Sequence, residues 1–146
     1  MDAKVNDMGL GTLVWRGQAF MAAVEKKVKA NLDSAAIMVV NDIVGSFGSG
    51  TGTYGKGPVQ RSKEGEPPYV QTGDLKRSIS FDAPSALVRR VGSRMKPGDK
   101  DNPNSGKHTY AWYLEMGTAY MGERPYLMPA VRRNRSKVLA MIAKGS

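Results

Sequence analysis

Between residues 12 and 46 the chain has no proline, and Phe20, Val24, Val28, Leu32, Ala35, Val39 and Ile43 recur three or four positions apart. That spacing draws one apolar stripe along an α-helix and does not fit a strand of period two. Arg16, Gln18, Glu25, Lys26, Lys29, Asn31, Asp33 and Asn41 belong to the other face, which reads as solvated. Gly45 suits a C-cap, and Gly17 is a soft spot near the start. A helix of about 30 residues is about 45 Å long, more than the core of one small domain covers. Part of it is therefore expected to pack on a neighbouring subunit.

The remaining elements are shorter. Residues 47–68 are rich in glycine, proline and charge and read as a long mobile loop. Its glycines do not make a phosphate cradle, because no Gly-Lys-Ser/Thr stands before a helix. Thr72-Gly-Asp-Leu-Lys-Arg-Ser-Ile reads as a helical turn capped by the Thr72 hydroxyl, with Asp74 in its first turn. Residues 79–83 and 86–93 alternate as two strands joined by a tight turn at Pro84-Ser85, an antiparallel pair. Residues 95–107 form a second polar loop. The run from Tyr110 to Met116 fits either a strand or a short buried helix. From Pro125 the prolines suit a first helical turn, and Val131, Val138, Leu139 and Ile142 continue as an apolar stripe with a basic back. Two helices around a small antiparallel sheet, with long flexible loops, make one α+β domain over residues 1–146.

Charge and chemistry narrow the function. The 146 residues carry 22 Lys and Arg against 13 Asp and Glu, a net charge of +9. The excess lies beyond residue 57, since residues 1–57 hold six basic and five acidic groups. Such a field suits proximity to nucleic acid or to acidic protein partners. With no cysteine there is no disulfide, thiolate metal site or cysteine nucleophile, which leans towards a reducing cytoplasm. The residues at the start resemble no leader, and no apolar run approaches the roughly 18 residues of a membrane span, so a soluble protein is expected.

The single histidine, His108, adjoins Lys107 in a polar loop and reads as solvated rather than catalytic. Glu64 and Glu66 among Arg61 and Lys63, and Asp99 and Asp101 around Lys100, look like solubilising surface. Glu115, in an apolar segment, is expected at a sheet edge or in an ion pair with Arg124, a structural role. Arg89, Arg90, Arg132, Arg133, Arg135 and Lys137 offer a diffuse positive surface, without any signature of base reading. Tyr110, Trp112, Tyr113, Tyr120 and Tyr126 can stack bases, or form core or subunit interface. No cofactor, metal or catalytic site is expected.

Three blocks occur in order: Pro67-Pro-Tyr-Val-Gln-Thr-Gly-Asp-Leu-Lys-Arg-Ser-Ile, Tyr110-Ala-x-Tyr-Leu-Glu-x-Gly-Thr and Arg124-Pro-Tyr-Leu-x-Pro-Ala. Together with the long first helix they resemble the tail-completion, or head-tail joining, family of tailed bacteriophages. The blocks cover about half the chain. Residues 48–66 and 95–107 are long and lysine-rich for the family. The resemblance implies a structural virion protein and not an enzyme. It forms a ring, usually of six subunits, at the head-proximal end of the tail, assembled in the host cytoplasm. Its partners would be a head-side connector or stopper and a tail-tube or terminator protein, with packaged DNA passing through the lumen and no membrane involved. A tail terminator that stops tube polymerisation is a sibling role on the same kind of fold, and a non-sequence-specific nucleic-acid-binding module is an alternative from another class. On this reading Tyr110, Trp112, Tyr113, Glu115, Arg124 and Tyr126 are candidates for the ring interface, and Arg89, Arg90, Arg132, Arg133 and Arg135 for the lumen. Tyr54, Lys56, Arg61 and Lys63 would belong to a loop that orders on docking.

Overall fold

The computed structural model describes residues 3–7, 11–50, 58, 60–96 and 109–144. Tyr54, Lys56, His108 and nearly all of the second polar loop lie outside them. The chain begins with an antiparallel hairpin, β1 (Ala3–Asp7) and β2 (Gly11–Trp15), followed by the long helix α1 (Gly17–Ser46). Helix thus starts at Gly17, five residues later than the apolar spacing suggests. Thr12-Leu-Val-Trp15 is β-branched and aromatic, and pairing with β1 gives that propensity a ladder to join. Gly45 remains helical and is not the cap. The helix ends where Phe47 turns extended and the Ser46 hydroxyl donates to the Ile43 carbonyl, 2.7 Å.

Part of the glycine-rich segment is also ordered. β3 (Gly48–Ser49) pairs in parallel with β4 (Tyr69–Val70), and Cβ atoms at Gly48 or Gly50 would fall within 2.8 Å of the Tyr69 ring. These glycines let the aromatic ring lie flat against the backbone. Next come the short helix α2 (Asp74–Ser78) and the antiparallel strands β5 (Ile79–Ser85) and β6 (Val88–Ser93). At α2, Gly73 at φ +84° is the cap residue, while the Thr72 hydroxyl accepts from the Asp74 N–H at 3.3 Å. The hairpin turn is at Ala86-Leu87, not Pro84-Ser85. Pro84 stays within β5 because the ladder shifts register between Asp82 and Ser85, where a residue lacking an N–H is tolerated.

The segment that fits either strand or helix is α3 (Tyr110–Met116), and the last element is α4 (Leu127–Ala143). Helix wins at α3 because both ends are capped. The Thr109 hydroxyl accepts from the Trp112 N–H at 3.3 Å, and the Gly117 N–H donates to the Tyr113 carbonyl at 2.8 Å. The core gathers Val39, Ile43 and Phe47 of the α1 end, Ile79, Ala111, Leu114, Tyr126 and Ala130. Tyr126 stacks on Phe47 with ring centroids 5.5 Å apart, and Asn134 donates to Asp42 at 2.8 Å, so α4 runs antiparallel to α1. The fold is α+β, with the antiparallel β5–β6 pair packed against α1 and α1 against α4.

Candidate functional site

The second and third blocks of the resemblance form one interlocked unit. The residue before α4, Tyr126, cannot cap a helix with its side chain, and the first four N–H groups of a helix lack internal partners. Glu115 of α3 supplies the acceptors. One carboxylate oxygen accepts from the Tyr126 N–H at 2.8 Å and the Leu127 N–H at 3.0 Å, and the other from the Met128 N–H at 2.9 Å. Pro129, next in line, has no N–H to satisfy. A negative charge at this end also complements the helix dipole.

Glu115 is therefore a cap and not an ion-pair partner of Arg124. The Arg124 guanidinium turns elsewhere, donating to the Ser62 carbonyl at 3.1 Å and to the Gly122 carbonyl at 3.3 Å, while its N–H donates to the Leu114 carbonyl at 2.7 Å. A helical α3 points Glu115 along the chain towards α4, which an extended segment would not do. The sequence does carry a signal for this: no Ser, Thr, Asp or Asn precedes α4, so its cap has to come from outside.

Tyr126 leaves the set of interface candidates. It is 3% exposed, and its hydroxyl donates to the Ala111 carbonyl at 3.2 Å. Burial pushes its phenol well above the ordinary value of 10.0, and the Glu115 charge adds to this. The stability that depends on the neutral phenol is intact below about pH 10 and is lost as pH rises towards the folded-state value. Tyr126→Phe is expected to cost about 1 kcal/mol at neutral pH, with the gap to wild type narrowing in urea titrations above about pH 10.

Tyr110 and Trp112 present partly exposed rings on α3, with Trp112 edge-on to Tyr113 at 5.6 Å. Met116 and the fully exposed Tyr120 extend that surface. Of the basic candidates, three are engaged within the fold. Arg89 is half-buried, pairing with Asp33 of α1 at 2.5 Å and donating to the Ser85, Ala86 and Val88 carbonyls, so it braces the hairpin against the helix. Arg90 pairs with Asp82 across the hairpin, and Arg133 with Asp42, each at 2.9 Å. Arg132, Arg135 and Lys137 are exposed on α4 and form no ion pair among the described residues. Arg61 and Lys63 are exposed, but Ser62 between them is buried under Arg124, so this stretch is anchored.

Among the described residues no group of three or more His, Asp or Glu is close enough to hold a metal ion. A shallow depression of about 300 Å³ lies over β5 and β6, where Asp82 and Arg90 already neutralise each other. No helix among the described residues is long and apolar enough to cross a membrane. Comparison with protein-family models, with curated proteins and with solved structures finds no match.

Proposed function

We propose that this chain is a structural protein of the head-tail neck of a tailed phage, forming a ring that completes the tail and joins it to the head connector, with DNA passing through the lumen. The observation that carries the reading is the unfinished burial of α1. Of its stripe Ala35, Val39 and Ile43 are buried, Val24, Val28 and Leu32 are half-buried and Phe20 is exposed, as are Met21 and Ile37 beside the stripe. A 30-residue helix that its own chain covers over half its length presents the rest to another subunit. The interlocking of the resembling blocks through Glu115 supports the same view, since residues of this kind serve a scaffold and not a reaction. The tail-terminator role is a variant of the proposal with the same assembly physics.

Electron microscopy of the purified protein and of particle necks tests it. Closed rings at the neck are expected. A chain that stays monomeric at every concentration and binds neither portal nor tail complexes overturns the proposal. The unpaired Arg132 and Arg135 favour a second reading, a non-specific nucleic-acid surface. It requires salt-sensitive DNA binding by the isolated protein, weakened by Arg132→Ala and Arg135→Ala with a reduced salt slope.

A further inference from the structure

The two ends of α1 carry opposite chemistry. At the first end Phe20 and Met21 are 67% and 64% exposed, and Lys26 and Lys27 on the same half are exposed and in no ion pair among the described residues. The other end of α1 is packed into the core with Leu114 and Tyr126, the elements that flank the turn at residues 118–124. Residues 20 to 43 of a helix span about 35 Å, so the two regions lie far apart.

At the second region the turn at residues 63–66 is stitched to the turn at residues 118–124. The Gly65 N–H donates to the Glu123 carbonyl at 2.9 Å, and the Glu64 side chain lies directly over Gly122, where an added Cβ would have to push it aside. This brings Glu64, Glu66 and Glu123 together, all exposed, beside the exposed Tyr120 and Met116. Among the described residues none of the three carboxylates forms an ion pair, although Glu66 accepts from the Lys63 N–H at 3.3 Å, whereas five other carboxylates do and Glu115 caps α4. In a chain of net charge +9, the carboxylates outside ion pairs and caps are gathered at one place, near exposed apolar side chains and with the exposed Arg61 and Lys63 at its edge.

We infer that the two regions are the two halves of one interface between copies of this chain: the basic, apolar first half of α1 of one copy seats on the acidic, aromatic double turn of the next. Phe20 meets Tyr120 and Met116 at the centre, Lys27 on the same helical face meets the three glutamates at the rim, and Met21 and Lys26 flank that face on either side. Because the faces differ and lie at opposite ends of one rigid helix, the contact is head to tail, the geometry that closes into a ring when its rotation permits. The inference rests on the ring-assembly reading and assigns its faces.

Charge reversal tests it by sedimentation velocity at low salt. Lys26→Glu with Lys27→Glu makes both faces acidic, and Glu64→Lys, Glu66→Lys with Glu123→Lys makes both basic. Each variant alone is expected to need about tenfold or more protein to assemble. An equimolar mixture of the two is expected to assemble like wild type, since every contact then joins opposite charges. All five side chains are exposed, and matched thermal melts verify the fold; Lys27→Glu mixed with Glu123→Lys repeats the test with minimal change. Variants that assemble like wild type, or a mixture that stays dispersed, overturn the assignment of faces alone. A wild-type chain that remains monomeric overturns the ring reading with it.

Discussion

Glu115→Ala is expected to destabilise the protein by about 2–3 kcal/mol, from the loss of a charged helix cap and the stranding of several backbone donors. The carboxylate accepts from three successive N–H groups at 2.8–3.0 Å, and Pro129 leaves no fourth donor to take part. The Met128 end of the clasp is exposed and the Tyr126 end only part-buried, which is why the loss stops short of three full hydrogen bonds. Glu115→Gln retains one acceptor oxygen and loses the charge that faces the helix dipole, so about half the effect is expected. Urea unfolding read by circular dichroism separates the two variants. Equal stability of Glu115→Ala and wild type would mean that the α3–α4 clasp is not held by this side chain.

Gly117→Ala is expected to cost about 3 kcal/mol, through backbone strain and crowding together. Gly117 adopts φ +72° and ψ −178°, a region that residues with a Cβ scarcely occupy. An added Cβ would also stand 3.0 Å from the Glu123 nitrogen and 3.1 Å from the Met121 carbonyl oxygen, both backbone atoms that cannot swing aside. Gly45 provides the opposite case. It is helical with nothing within 4 Å of a new Cβ, so Gly45→Ala is expected to stabilise by about 0.5–1 kcal/mol. The two substitutions are chemically identical, and thermal melts should move in opposite directions.

Helical spacing made α1 and α4 readable as helices, but of the stripe expected on α4 Val131 and Leu139 are exposed, and Ala130 and Asn134 are its buried residues. Local exceptions are where the reading failed. Thr12 to Trp15 carries no proline and continues the apolar run, yet strand propensity and a partner strand claim it. Pro84 marks a turn by its type, but a shifted ladder accepts it within β5, two positions before the turn at Ala86-Leu87. The site was less legible than the fold. Glu115 was recognisable as structural, though its partner is a row of backbone N–H groups that no side-chain pairing rule can find. Arg89, Arg90 and Arg133 look like free charge in the sequence because Asp33, Asp82 and Asp42 are far from them along the chain, by 56, 8 and 91 positions. The acidic double turn was hidden for the same reason, since Glu64 and Glu123 meet only after folding.

The antiparallel contact of α1 with α4 also sets a problem for synthesis. Asp42 leaves the ribosome long before Arg133, 91 positions later, at a rate of roughly 5–20 residues per second. For those seconds Val39 and Ile43 have Phe47, Ile79 and the β5–β6 pair to pack on but lack the cover that Tyr126 and Ala130 bring. The α3–α4 clasp, closed between residues 11 to 13 positions apart, can form as soon as both sides emerge, because short loops close at low entropic cost. The nascent chain can therefore settle α1 on β5–β6 first, and it completes its core only when the last helix arrives.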